Sequence, residues 1–217
     1  MNAQVFSLLA LLVSSAHVYA QSVGSCSNIT TEGGWQGVAS ISHYAYMGTA
    51  CNCGNGNEGA ANWQGNTGAA LGIGQGYYSG AVNQLLFQGN MASGEPNCGS
   101  GCGVCYELQT TGVNAYDGGA GPGSSITVMV VDACYNNNGA PNWCTSITGG
   151  PDDFGCKVHF DIDTDPTAYN PTPPNPVGKD GTQWTNGGEF VQYRQVPCPP
   201  AMASAFTSDC AGDCPAH

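Results

Sequence analysis

An imidazole and two carboxyl groups alternate with apolar residues in the segment KVHFDID, which spans residues 157–163. Unbroken alternation predicts a β-strand with one buried face, because the side chains of a strand point to opposite faces with a period of two. The residues expected to enter the core are Val158, Phe160 and Ile162. His159, Asp161 and Asp163 then share the other face, where they could exchange protons with a bound molecule. An amphipathic strand with a solvated polar face is the alternative interpretation.

A further carboxyl group, Asp132, ends the apolar run ITVMVVD at residues 126–132. A continuous apolar run of this length predicts a strand that is buried on both faces. A carboxylate at the end of such a strand either caps the following turn or lies at the mouth of a cleft. The sequence leaves both interpretations of Asp132 open.

The remaining segments indicate an all-β fold. Glycine supplies 33 of the 217 residues, and the stretches between glycine clusters are short and favour strands, as at residues 190–196. Residues 77–87 carry apolar side chains at three- and four-residue spacing, which predicts a helix. Residues 164–188 are rich in Pro, Gly, Asn and Thr and predict a long loop. Trp184 in that loop could either attach it to the core or stack on a ligand.

Residues 1–20 predict a secretion signal. An apolar run at residues 5–13 is followed by VYA at residues 18–20, which fits the small-residue rule for signal peptidase, although no Lys or Arg precedes the run. The run is too short to span a bilayer. Since no long linker or repeat divides the rest, we expect residues 21–217 to form a single extracellular domain.

All twelve cysteines lie beyond residue 20, and an even number in a secreted chain predicts disulfides. The segment CGVC at residues 102–105 could instead offer two thiolates to zinc. A structural zinc site needs two more ligands, however, and export oxidises thiols. Asn28-Ile29-Thr30 is an acceptor sequence for N-glycosylation.

The charge balance argues against two classes of partner. Fifteen acidic residues face only three basic ones, which gives a net charge of −12. Nucleic acids and anionic membranes bind clustered positive charge, so we expect neither as a partner.

Several motifs follow one another in a familiar order. They are CNCG at 51–54, LGIGQGYYSGAVNQLLF at 71–87, CGSGCGVCYELQTTG at 98–112, ITVMVVDAC at 126–134, NWC at 142–144, HFDI at 159–162 and VPCP at 196–199. Together they resemble the endoglucanases of glycoside hydrolase family 45, in the branch that shares motifs with expansins. The resemblance covers residues 38–214. It implies a six-stranded double-psi β-barrel with short helices and long loops, tied by disulfides and crossed by an open groove.

The resemblance also implies a reaction, which is hydrolysis of internal β-1,4-glucosidic bonds with inversion and without a metal or cofactor. The expected partner is a β-1,4-glucan, either cellulose or mixed-linkage β-glucan, bound by a monomer. Inversion requires one carboxylic acid to protonate the leaving oxygen. A second group, roughly 6.5–9.5 Å away, must activate water on the opposite face of the sugar.

Asp161 in HFDI matches the general acid of the family. His159, two residues away on the same face, is expected to orient that acid or to contact substrate, unless it is a packing histidine held by hydrogen bonds. The general base departs from the family pattern, because Ala45 stands where most members carry aspartate. An alanine cannot accept a proton from water.

Three replacements for the base are open. Asp132 is one, since some members that lack the usual base carry an aspartate there. Asn138, from the cluster NNN at residues 136–138, is another, because that branch uses an amide in this loop. The third is the pair Asp152 and Asp153, which could instead belong to a solvated turn.

Glucan binding should use aromatic faces. Tyr44 and Trp63 match aromatic positions of the family groove, and Trp35 and Trp184 are further candidates. Two other functions on the same barrel stay open. One is a non-hydrolytic, expansin-like or loosenin-like protein that loosens cell walls, which Ala45 favours. The other is a barwin-like lectin, which explains the cysteines but not the carboxyl groups near HFDI.

Overall fold

A computed structural model describes residues 22–31, 33–44, 51, 76–88, 99–116, 118–134, 144, 150–164, 174–184 and 188–209. The strands are β1 (Ser22–Val23), β2 (Gly37–Tyr44), β3 (Tyr77–Val82), β4 (Cys105–Asn114), β5 (Ser125–Ala133), β6 (Val158–Asp163) and β7 (Glu189–Val196). The helices are α1 (Gln84–Phe87), α2 (Pro200–Asp209) and a 3-10 turn at Cys26–Asn28. None of the helices in these ranges is long and apolar enough to cross a membrane.

Six strands close a barrel. Their order is β4-β5-β3-β6-β2-β7, and β7 pairs again with β4, while β1 extends the sheet beside β4. The pairs β2–β6 and β3–β5 are parallel, whereas the other pairs of the ring are antiparallel. The predicted all-β class and six-stranded barrel are confirmed.

The alternation predicted for β6 is confirmed on its inner face, where Val158, Phe160 and Ile162 are buried in the core. The alternative interpretation, a solvated polar face, is wrong for His159 and Asp163, which are each only 1% exposed. The serines of the neighbouring strand β2 contact both nitrogens of the imidazole.

The predicted helix over residues 77–87 is wrong for most of its length. Residues Tyr77–Val82 form β3 between β5 and β6, and only Gln84–Phe87 is helical. A strand buried on both faces carries small and apolar residues at every position, so it can mimic a helical spacing. Gly80 allows the close approach of β3 to β6, since a Cβ there would lie 2.6 Å from the carbonyl oxygen of Asp161.

The predicted disulfides are confirmed for the eight cysteines of the described ranges. The pairs are Cys26–Cys156, Cys51–Cys102, Cys105–Cys198 and Cys134–Cys144. The two cysteines of CGVC belong to different disulfides, so they are not available as a pair of zinc thiolates.

Trp184 attaches its loop to the core. Its side chain is fully buried, and its indole Nε1 donates a hydrogen bond of 2.9 Å to Ser124 Oγ. Of the two interpretations of this residue, attachment to the core is the one that the structure shows.

Candidate active site

The barrel register places two carboxyl groups in one row across four strands. Asp161 on β6 pairs with Ser42 on β2 and with Ala81 on β3, and Ala81 pairs in turn with Asp132 on β5. Cross-strand partners point to the same face of a sheet, so all four side chains lie on the outer face. Two strand spacings of about 4.8 Å put the Cα atoms of Asp132 and Asp161 about 9.6 Å apart.

Ala81 is the residue between the two acids, and its small side chain is buried, with only 3% of the residue exposed. A β-bulge between Gly80 and Ala81 shifts the register so that Ala81 meets Asp132. Bulges commonly reorient side chains next to active sites. The row therefore places two carboxyl groups on either side of one small side chain.

Asp161 has the properties of a general acid. Its pKa is raised from 3.8 to about 7, mainly because the group is buried; a hydrogen bond from Ser42 lowers the pKa and the negative charge of Asp132 raises it. Ser42 Oγ lies 2.6 Å from Asp161 Oδ1 and donates to the carboxylate when that group is ionised. Below neutral pH the carboxyl group therefore keeps a proton that it can transfer.

A series of hydrogen bonds continues from Ser42 through β6 to the loop before it. Ser42 Oγ lies 2.9 Å from His159 Nε2, and His159 Nδ1 lies 2.7 Å from Ser40 Oγ. Ser40 Oγ then donates to Asp152 Oδ2 over 2.5 Å. We call these five side chains, which join Asp152 to Asp161, the serine–histidine network.

His159 is neutral in this network, because burial lowers its pKa from 6.5 to about 3. The sulfur atoms of Cys134 and Cys144 lie within 4.8 Å of a ring nitrogen of His159. These three residues have the spacing of a metal site, but the two cysteines are bonded to each other. The disulfide instead covers the imidazole on the outer face.

Tyr44 lies next to the acids at the end of β2. Burial raises its pKa well above 10.0, and the charges of Asp132, Asp163 and Asp161 add to the effect. The hydroxyl group therefore stays protonated. Its oxygen is buried and has no hydrogen-bond partner within the described ranges.

Some of the other predicted site residues lie within the described ranges and some lie outside them. Asp152 is buried, 6% exposed, and also accepts hydrogen bonds from the backbone N–H groups of Phe154 and Cys156, whereas Asp153 is exposed. A solvated turn is therefore the wrong interpretation for Asp152. Trp35 lies under the guanidinium of Arg194, 4.5 Å from the ring centre. Ala45, Trp63 and residues 136–138, including Asn138, lie outside the described residues.

Sequence reasoning missed Ser40 and Ser42. These serines connect the imidazole to the carboxyl groups of Asp152 and Asp161. Their alternation in SISHY, residues 40–44, predicts a strand with both serines on one face. It does not reveal that this strand pairs with β6, because the partners are about 120 residues apart.

Comparison with known proteins places the chain in a family. The family model described as EXPB1-like domain 1 matches residues 39–203, and the chain belongs to this family. Endoglucanase-5 of Hypocrea jecorina is 42% identical over 116 residues, which are 52% of this chain and 43% of that protein. An endoglucanase of Mytilus edulis is 33% identical over 100 residues, 44% of this chain and 53% of that protein.

Expansin-B11 of Oryza sativa subsp. japonica is 33% identical over 143 residues, 64% of this chain and 39% of that protein. The chain thus spans about half or less of the length of the curated relatives it matches. The predicted resemblance to family 45 endoglucanases with an expansin-related fold is confirmed.

Solved structures confirm the fold. The GH45 endoglucanase EG27II, in complex with cellobiose, has a TM-score of 0.56 at 22% identity, covering 88% of this chain and 98% of that one. The endoglucanase Cel45A from Mytilus edulis has a TM-score of 0.53 at 22% identity, covering 88% of this chain and 91% of that one. The predicted double-psi barrel of family 45 is therefore correct.

Proposed function

We propose that the protein is a secreted endo-β-1,4-glucanase that hydrolyses internal bonds of β-glucans with inversion. The observation that carries the proposal is the row in which Asp132 and Asp161 flank Ala81. Two strand spacings separate the Cα atoms of the two residues by about 9.6 Å. From that spacing two aspartate side chains can place their carboxyl groups within the roughly 6.5–9.5 Å that an inverting mechanism needs.

In this mechanism Asp161 donates its proton to the glycosidic oxygen as the bond from that oxygen to the anomeric carbon breaks. Asp132, as a carboxylate, takes a proton from a water molecule whose oxygen attacks the anomeric carbon from the opposite face. The products are two shorter glucan chains, each with a hydroxyl group at the cleaved position. The cycle closes when a proton returns from Asp132 to Asp161 through solvent. No cofactor takes part in these steps.

The surrounding residues support the two acids. Tyr44 donates its hydroxyl proton to a substrate oxygen beside Asp161, and His159 orients the acid through Ser42. Trp63 is assigned to the binding of a sugar face, in accordance with the family motif. Asn138 is the alternative base if Asp132 does not activate the water.

We place the remaining properties in the same proposal. Residues 1–20 direct export, and residues 21–217 form one monomeric catalytic domain. This domain acts on a neutral polysaccharide and not on nucleic acid or a membrane. Asn28 is exposed at the end of the 3-10 turn, where an oligosaccharide transferase can reach it. Cellobiose bound to EG27II is consistent with a β-1,4-linked substrate.

The deciding experiment measures reducing ends released from barley β-glucan and amorphous cellulose by the purified protein. We expect the wild type to release reducing ends and Asp161→Asn to release none above background, since a side-chain amide is far too weak an acid to protonate the leaving oxygen. The variant should still bind cello-oligosaccharides, because its shape is unchanged.

Non-hydrolytic loosening of cell walls is the second candidate, favoured by the match to Expansin-B11 and by Ala45. It predicts glucan binding without release of reducing ends by the wild type. Extension of a cellulose composite under load, without new reducing ends, would replace the first proposal by the second.

A further inference from the structure

The serine–histidine network has four hydrogen bonds but too few protons to form them all when both end carboxyl groups are ionised. Its four contacts join Asp152, Ser40, His159, Ser42 and Asp161 in that order. Each contact needs one proton. The two serine hydroxyls and the neutral imidazole supply one proton each, which makes three.

An imidazolium at His159 would also supply a fourth proton, but burial disfavours the charged ring and lowers its pKa to about 3. With a neutral imidazole, the fourth proton lies on one of the two carboxyl groups. If it lies on Asp161, that group donates to Ser42 and Ser42 donates to His159 Nε2. His159 then donates from Nδ1 to Ser40, and Ser40 donates to Asp152. If the proton lies on Asp152, every hydrogen bond runs in the opposite direction. With neither carboxyl group protonated, one buried contact has two lone pairs facing each other.

The contacts at the two ends decide between these arrangements. Asp152 already accepts hydrogen bonds from the N–H groups of Phe154 and Cys156 at its Oδ1, besides the one from Ser40 at its Oδ2. Among the residues that the structure describes, the carboxyl group of Asp161 has a hydrogen bond only with Ser42. Burial raises the pKa of both carboxyl groups, but three donors lower it at Asp152 and a single donor lowers it at Asp161, so the carboxylate is favoured at position 152. The proton therefore belongs on Asp161.

We propose that Asp152 is a positioning residue that keeps Asp161 in its acid form by fixing the direction of every hydrogen bond in the network. This inference depends on the proposed role of Asp161 as the proton donor. Asp152 touches no substrate and acts only through Ser40, His159 and Ser42.

Other titratable groups surround both ends of the network. Asp132 on β5 and Tyr44 on β2 face Asp161, and His159 and Asp163 lie on its own strand. Asp153 adds its charge beside Asp152. The test must therefore separate the direction of hydrogen bonding from the loss of a negative charge.

Asp152→Asn reverses the direction of hydrogen bonding but also removes a charge, so the separation comes from the tautomer of His159 and from a control that removes a charge alone. An asparagine of the same shape keeps Oδ1 toward the two backbone N–H groups and presents an Nδ2–H donor to Ser40. All four hydrogen bonds can then form only in the reversed direction, with Asp161 ionised and the imidazole proton on Nε2. Since one unpaired buried group shifts a protonation equilibrium by about one to two pH units, the acid should lose its proton that much earlier.

The experiment has two measurements on the wild type and on Asp152→Asn. The first is the ¹⁵N spectrum of His159, which distinguishes the Nδ1–H tautomer from the Nε2–H tautomer. The second is the pH profile of kcat for release of reducing ends. We expect Nδ1–H in the wild type and Nε2–H in the variant, with the alkaline limb lowered by about one to two pH units and KM nearly unchanged.

Asp153→Asn is the matched control, because it removes the same charge from the adjacent exposed residue outside the network. It should keep the Nδ1–H tautomer and the wild-type alkaline limb. If Asp152→Asn does not fold, Ser40→Ala replaces it. That variant leaves only the contacts among His159, Ser42 and Asp161, which again favour Nε2–H and an ionised acid.

The inference is overturned if the wild type carries Nε2–H, or if the tautomer and the alkaline limb are the same in the wild type and the network variant. The tautomer can be read in a protein that hydrolyses nothing. Failure of the glucanase proposal is therefore distinguishable from failure of this one.

Discussion

Replacing Asp132 by asparagine tests both the chemistry and the electrostatics of the row that holds the two acids. The substitution keeps the shape of the side chain but removes the carboxylate. If Asp132 activates water, the variant has lost its proton acceptor. Independently of that role, Asp161 has lost a negative charge that raises its pKa.

The size of each effect can be worked out. General base catalysis contributes about 10²–10⁴-fold, so kcat should fall by that factor. Two unit charges about 9.6 Å apart interact by about 1.7 kcal/mol at an effective dielectric constant of 20, which is about 1.3 pKa units. Because Asp132 is partly exposed, solvent screening should reduce this to about half. The pKa of Asp161 should then fall from about 7 by about 0.6.

The assay follows kcat and KM on a soluble cello-oligosaccharide, together with the ¹³C shift of the Asp161 carboxyl group during a pH titration. KM should stay within about twofold of the wild type, because the lost interaction acts on the transition state. Added azide, a nucleophile that needs no base, should restore part of the turnover as a glycosyl azide.

A fall in kcat of less than tenfold would refute the role of Asp132 as the base and would direct the search to Asn138. An unchanged titration of Asp161 would refute the geometry of the row itself. Asp153→Asn, which removes a charge from an exposed position outside the row, should change neither quantity and serves as the control.

Three further predictions concern buried groups. Burial raises the pKa of Glu189 from 4.5 to about 7, so its stabilising contribution is complete below pH 4.5 and is lost as the pH rises through 7. The wild type should therefore lose unfolding free energy between pH 5 and pH 8, and Glu189→Gln should lose about 2 kcal/mol less over the same interval, as measured by urea titrations. An equal loss in both proteins would contradict this. Trp184→Phe should cost about 1–3 kcal/mol of stability, because it leaves a buried hydroxyl without its donor, while KM is unchanged; a raised KM would mean that the indole contacts substrate. Replacing Cys134 and Cys144 by serine should expose His159 and move its pKa from about 3 toward 6.5 in an NMR titration, and a pKa that stays near 3 would show that other groups bury the ring.

The sequence was informative where one strand carries its own signal. Strands β5 and β6 were predictable because a continuous apolar run and a strict alternation are local patterns. The proposal that Asp161 is the acid followed from its motif. The same local reasoning failed over residues 77–87, where burial on both faces removed the period of two that marks most strands.

The parts that escaped prediction all depend on pairing between distant strands. Ser40 and Ser42 acquire their role only because β2 lies parallel to β6. Asp152 is buried only because Ser40 reaches it across the loop before β6. No property of either segment alone specifies the other as its neighbour, so the network could not be read from one sequence.

The parallel pairing of β2 with β6 also determines when the site can form during folding. Ser42 and Asp161 are 119 residues apart, so the site is absent until most of the chain has been assembled. Contacts of such high sequence separation are formed slowly, because loop closure must precede them. The disulfide Cys26–Cys156 joins the segments just before these two strands over a separation of 130 residues. By the loop-entropy model, a crosslink of this span is worth about 5 kcal/mol, which favours the closed barrel.

Recovery of the proposed glucanase activity during oxidative refolding should therefore follow barrel closure rather than early collapse. Formation of the Cys26–Cys156 bond, which holds β2 and β6 near each other, should govern its rate. A host that keeps these thiols reduced would then yield protein with intact strands but without its paired acids in place. Because β2 and β6 are distant in sequence and are held near each other by a disulfide, the protein should be expressed in an oxidising compartment.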